Sequence, residues 1–238
     1  DANLKNCKEI VDLLWDLRGK KVHNFSPDQM ETYLRVLHSI KLPDSEFLSK
    51  SVEGQTLMKW IDNIENRLFS QIYEAQINRL KTTPANPETI ELRNELRNKV
   101  KATNCKLCRN KAIDAISDYN HRYEEYKISL LVDKKDSLIH AAGNKIFDFF
   151  IKKDCINKGL EDEEMSASIG SGKEFLQIKH DELVTKLDKL EKLISEQPRF
   201  KKESEINDYM NRIQTLLDEL SEGYKNICKR YNELCNCE

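Results

Sequence analysis

A chain of 238 residues is long enough to bury a real core, as one large domain or two small ones. Charged residues make up 34% and hydrophobic ones 39%, a balance that fits helices with one buried stripe and a solvated remainder. The formal net charge of -2 argues against a molecule built as a whole to seek polyanions, and no run of about 18 apolar residues is present to span a bilayer as a helix. With 7 glycines, 5 prolines, no Asn-Gly or Asp-Gly turn and no sustained apolar–polar alternation, a sheet is not expected.

In chain order, residues 4–18 are expected to form a first helix, with Val11, Leu14 and Trp15 along it and Gly19 at its end. Ser26-Pro27-Asp28-Gln29 is a helix start. Serine caps, proline suits the first turn, and Gln29 completes a capping box. The second helix then carries Met30, Tyr33, Leu34, Leu37 and Ile40 and stops before Pro43. A long third helix is expected over 53–80, with Leu57, Trp60, Ile61, Ile64, Leu68, Ile72 and Ala75 inward. Thr82 to Pro87 is the clearest break in the chain. A fourth helix follows from Glu88 to Ala102, and Asn104 to Cys108 reads as a turn or a helix junction. The fifth runs to about Leu131 with Ile113, Ile116, Tyr119, Tyr123, Tyr126 and Leu130 on one face. Asp133 is expected to cap the sixth, which carries Leu138, Ile139, Ala142, Ile146, Phe149 and Phe150 as far as Cys155. Phe147 is grouped with Phe149 and Phe150 as core. Residues 158–172, with their glycines, serines and the acidic run 161–164, read as a mobile linker.

The last two helices, 172–194 and 203–234, organise the rest. Leu176, Leu183, Leu187, Leu190 and Ile194 repeat at spacings of four and three once the gap at His180 is counted. The second stripe is Ile206, Met210, Ile213, Leu217, Leu220, Tyr224, Ile227, Tyr231 and Leu234. Gln197-Pro198-Arg199 lies between them, and so short a turn makes the two pack antiparallel. The expected fold is therefore all-α: a multi-helix bundle of seven or eight helices in two or three sub-bundles, closed by this hairpin. The expected subdomains are 1–82, 88–157 and 172–238, with 158–171 as a flexible linker.

The seven cysteines are Cys7, Cys105, Cys108, Cys155, Cys228, Cys235 and Cys237. Cys228 and Cys235 are one heptad apart and share a side of the last helix; the others are spread along the chain. One reading is a bundle stapled by disulfides from several places to its last helix, in an oxidising compartment, each long-loop bridge contributing ~2–4 kcal/mol. The other is a set of small buried apolar residues in an intracellular protein. An odd count leaves one thiol over or a partner elsewhere. Zinc at Cys105-x-x-Cys108 lacks a second ligand pair, and no metal or cofactor is assigned. A redox use of that pair wants the cysteines at the start of a helix that follows a strand, and no strand is visible.

No catalytic motif occurs, and no catalytic residue is assigned. Asp136 and His140 are spaced to meet on a helix face, as a surface contact. Gly170-Ser171-Gly172-Lys173 lacks the first glycine, the hydroxyl after lysine and the preceding strand of a phosphate loop. Asn24-Phe25-Ser26 has the form of a glycosylation acceptor, made a poor one by Pro27. One charge feature stands out. Arg93, Arg97, Lys99, Lys101, Lys106, Arg109 and Lys111 crowd one segment opposed only by Glu95. They are candidates for contact with an anionic partner, such as a sialylated or sulfated glycan or a phospholipid headgroup. A solvated helix face, or a partner for the 161–164 acids, is the reading favoured over it. Nucleic acid is not expected, because no aromatic residues are interleaved to stack bases.

The opening Asn6-Cys7-Lys8-Glu9-Ile10-Val11-Asp12, the long Lys- and Glu-rich helices and the tail Cys228…Cys235-Asn236-Cys237 resemble the GPI-anchored merozoite surface antigens of Babesia, among the apicomplexan parasites. The resemblance implies a non-catalytic coat protein on the extracellular face, lipid-anchored, that adheres to a host erythrocyte protein or glycan and is seen by antibodies. The chain begins with Asp1 and shows no basic segment leading into an apolar one, so its start is expected to be a signal-peptide cleavage site or the edge of a longer chain, and an anchor signal would lie outside it. The competing expectation is an intracellular helical adaptor that offers grooves to partner helices.

Overall fold

The computed structural model describes residues 20–39 and 52–236, together with Asp12 and Lys50. These residues form an all-α protein, with no strand among them. The chain divides into two compact units, residues 1–123 and 124–238. The expected first helix and its Cys7, and also Cys237, lie outside the described residues, apart from Asp12.

In the first unit, a 3-10 turn at Val22–Asn24 precedes α1, Pro27–Ser39. Its start follows the expected capping box: Gln29 N–H donates to Ser26 Oγ at 3.2 Å and Ser26 N–H to Gln29 Oε1 at 2.9 Å. Met30, Leu34 and Leu37 are buried at the expected spacing. α2, Val52–Leu68, runs through a π-turn at Phe69–Tyr73 into α3, Glu74–Thr82. The π-turn holds an extra residue and moves the inward stripe. Ala75, expected inward, is exposed, while Tyr73, Ile77 and Leu80 are buried. Pro84 forces Thr83 out of the helix (φ -81°, ψ 135°). Asn86 Oδ1 then accepts the amides of Glu88 and Thr89 at 3.0 and 3.2 Å, ahead of α4, Ile90–Lys101.

The fifth and sixth helices of the sequence reading are one helix, α5, Lys106–Glu161, of 56 residues. Between those ends there is no proline, and Asp133 takes a helical interior position, so nothing stops the run. The division between units falls within it, at Tyr123–Glu124, rather than at 82–88 and 158–172. Only part of each expected aromatic and apolar face is buried. Phe149 goes inside and Phe147 stays 66% exposed; Tyr119 is buried, with Ala112 and Ala115, whereas Leu130 is exposed.

In the second unit, residues 158–172 are helical where a linker was expected. Asp162 Oδ1 accepts the Met165 amide at 2.9 Å and starts α6, Glu163–Ile169, so the acidic run is a helix start. Gly170, at φ 62°, ends it. A 3-10 turn at Gly170–Gly172 leads to α7, Lys173–Ser195, and α8, Glu203–Arg230. These form the expected antiparallel hairpin. Lys186 Nζ meets Glu219 Oε2 at 3.0 Å, and further on Tyr209 O–H donates to Leu193 O at 2.7 Å. Leu183, Leu187 and Leu190 meet Ile213, Leu217 and Leu220 in one buried cluster that also holds Phe149 and Ile156 of α5.

Two disulfides staple this fold locally. Cys105 pairs with Cys108, and Cys228 with Cys235; Cys155 is disulfide-bonded too. The two described pairs therefore do not tie distant helices to the last one. An unbroken helix would separate Cα atoms seven residues apart by about 10.5 Å. Those of Cys228 and Cys235 are 5.5 Å apart. The helix accordingly breaks at Tyr231 (φ -129°, ψ 62°) before α9, Asn232–Cys235.

Candidate functional site

The seven cations of the 93–111 segment have different tasks. Arg93 Nη1 donates to Asn120 Oδ1 at 2.9 Å, and its Nε and Nη2 reach Asn94 Oδ1. Lys99 Nζ donates to Ile72 O at 3.2 Å and Gln76 Oε1 at 3.3 Å, and stands 5.3 Å from the Tyr73 ring centre. Both side chains hold α4 to the rest of its unit. The side chains of Lys106 and Lys111 are exposed. The remaining three, Arg97, Lys101 and Arg109, come together along a groove of about 510 Å³ between α4 and α5. Val100, Ile113 and Ile116 form its apolar wall, and Ser117 and Asn120 add polar groups. Arg109 Nη2 donates to Thr103 O at 2.7 Å, which fixes the plane of its guanidinium. Arg97 and Lys101 make no hydrogen bond or ion pair among the described residues. The wall has no marker in the sequence: Ile113 shares the stripe of Ile116 and Tyr119 expected inward, yet it is 52% exposed.

The Cys105–Cys108 pair sits at the amino terminus of α5. Cys105 Sγ accepts the Cys108 amide at 3.0 Å, Thr103 Oγ1 accepts the Cys105 amide at 3.1 Å, and Cys105 O takes the Arg109 amide at 3.0 Å. Both cysteines are fully buried. A helix start is half of what a redox dithiol needs, but the sulfurs are shielded from an exchanging thiol in this state, and as a disulfide they are not zinc ligands. Among the described residues no group of three His, Cys, Asp or Glu side chains converges on a metal site, and no helix is long and apolar enough to cross a membrane.

In the second unit, His180 fills the gap in the α7 stripe. It is fully buried, and its Nε2 lies 2.8 Å from Asn157 Oδ1. An amide oxygen only accepts, so Nε2 carries the proton and Nδ1 is a bare acceptor without a partner. Burial holds its imidazole below the usual range; Asp181 opposes the shift and Lys153 adds to it. The Tyr224 ring meets it edge-on, and burial pushes the Tyr224 phenol up to about 12, with Asp154 and Asp188 adding to the shift. Gly223 opens a second groove, of about 650 Å³, over Leu176, Leu183 and Ile227. Its rim mixes signs, with Lys186 paired to Glu219 and Lys179 to Glu182 at 2.9 Å.

The chain matches no family model, no curated protein and no solved structure.

Proposed function

We propose that this chain is an extracellular, disulfide-stabilised helical protein that adheres to a host cell, as a non-catalytic antigen of a parasite's merozoite surface held by a lipid anchor. One observation carries the reading: each of the five described cysteines is disulfide-bonded. Cysteines in that state fit the secretory route and a cell surface, where bridges persist, far better than a reducing cytosol. The likeness of the cysteine-bearing opening and tail to the Babesia surface antigens supports the host side of the proposal. The exposed cations of the α4–α5 groove supply a contact surface. An intracellular adaptor would keep its cysteines reduced.

Two measurements test the reading together. Thiol titration of natural-source protein, unfolded without reductant, is expected to find a single free thiol among the seven cysteines. Purified protein is expected to bind erythrocytes saturably. Seven free thiols would return the chain to the adaptor class, and absence of cell binding would end the adhesion proposal.

A further inference from the structure

We infer that the α4–α5 groove is a binding site for an acidic sugar, a glycan residue that carries a carboxylate or a sulfate. The inference deepens the adhesion reading, and rests on it for its setting, by naming what the surface would recognise.

The cations come first. Arg97 and Lys101 stand one turn apart on α4, and Arg109 faces them from α5. Two of the three carry no partner among the described residues, so the groove holds positive charge that no described residue of the unit neutralises. Nearby acids do not fill it. Glu95 is two residues from Arg97 and points off the shared face, and Asp118 is taken by Arg122 at 3.0 Å. With its plane fixed on Thr103 O, the Arg109 guanidinium keeps its other donors for a planar anion.

The uncharged lining narrows the choice. Ile113 and Ile116 offer an apolar wall, against which the C–H face of a sugar ring packs. Ser117 supplies a hydroxyl. Asn120 has its oxygen occupied by Arg93, which leaves its amide N–H groups for ligand hydroxyls. At about 510 Å³ the groove falls among small-ligand pockets, roughly 300–1,000 Å³. A membrane surface is a poorer fit, because interfacial binders present apolar or aromatic side chains for insertion, and here they wall a concavity. Nucleic acid fits less well again, since no aromatic ring lines the groove for a base to stack on.

The test uses the full chain in calorimetric titration with sialyllactose, a heparin tetrasaccharide and neutral lactose, plus a sedimentation assay with phosphatidylserine vesicles. Acidic sugars are expected to bind and lactose not. The preferred acid, carboxylate or sulfate, identifies the source. Arg97→Ala with Lys101→Ala is expected to weaken binding about tenfold or more, as loss of charge-assisted hydrogen bonds demands. Lys111→Ala, an exposed cation of the same segment outside the groove, is expected to leave it unchanged. Tryptophan fluorescence and circular dichroism confirm that each variant is folded. Equal losses in the two variants, no preference for acid over lactose, or groove-dependent binding to vesicles alone would each overturn the inference. Erythrocyte adhesion is scored separately. Adhesion that survives the double variant sinks the groove and spares the adhesion reading; sugar binding without adhesion does the reverse.

Discussion

Glu65, on α2, closes the amino terminus of a helix that begins at Lys106. Its Oε1 accepts the Lys106 amide at 2.9 Å and its Oε2 the Leu107 amide at 3.2 Å. His38 Nε2 lies 3.3 Å from the same Oε1. The first four amides of α5 thus all have partners, two on Glu65 and two on Cys105. A carboxylate there also faces the positive end of the helix dipole. Glu65→Ala would strand two amides beside a buried site and is expected to cost about 2–4 kcal/mol, while Glu65→Gln, which keeps one acceptor oxygen, costs about 1 kcal/mol. Trp60 lies in the first unit and residues 124–238 hold no tryptophan, so urea unfolding followed by tryptophan fluorescence does not read the second unit. Equal midpoints for the wild type and Glu65→Ala would show that the cap contributes nothing.

The sulfur cap separates two roles of one cysteine. The Cys105–Cys108 bridge closes a loop of sequence separation 3. Loop entropy for so short a ring is about 2 kcal/mol. Cys105→Ser with Cys108→Ala breaks the bridge but keeps an oxygen at the cap; Cys105→Ala with Cys108→Ala removes both. The first is expected to lose about 2 kcal/mol and the second about 1 kcal/mol more. If the two variants unfold at the same urea concentration, Cys105 does not act as a cap.

What could be read from the sequence follows how local each cause is. The Ser26–Gln29 box needs only residues three apart, and the hairpin stripes need only periodicity. The π-turn at Phe69–Tyr73 and the unbroken run through Asp133 have no strong local marker. Asp133 is a cap only if the helix before it ends, and neither proline nor glycine makes it end. The same holds in the groove. The charge cluster was visible, but which cations stay available depends on partners such as Asn120 and Ile72, both 27 residues from the cation they take. Packing sets those distances. Ile113 escaped for a related reason: a helix buries a stripe, and Ala112 and Ala115 took it.

Two helical glycines are expected to respond oppositely to alanine. A Cβ at Gly143 meets nothing within 4 Å, so Gly143→Ala gains helix propensity alone, about 0.5–1 kcal/mol. A Cβ at Gly223 falls 2.3 Å from Leu183 Cδ2. Gly223→Ala therefore displaces Leu183 from the hairpin seam and is expected to cost about 1–3 kcal/mol despite the propensity gain. In a Leu183→Ala background the obstacle is gone, and the same change turns stabilising. Additive effects of Gly223→Ala and Leu183→Ala, in a double-mutant cycle, would refute close packing there.

His180 makes the second unit sensitive to acid. Its folded pKa lies below its ordinary value of 6.5, chiefly because it is buried. The unfolded chain therefore binds the proton first. Stability contributed by the neutral ring is complete above about pH 6.5 and is lost as pH falls toward the folded value, by at most about 1.4 kcal/mol per pH unit. The geometry agrees: a proton on Nδ1 meets no acceptor. Lys153 on α5 raises the cost, Asp181 on α7 lowers it, and from α8 the Tyr224 ring edge supplies no counter-charge. His180→Phe keeps a ring in the core and removes the titrating group. Urea unfolding followed by helix circular dichroism, at about pH 7.5 and about pH 5, should show a larger acid-induced loss in the wild type than in His180→Phe. The four other histidines are common to both proteins, so the difference belongs to His180. Parallel losses would mean that this ring is protonated as readily in the folded chain as in the unfolded one.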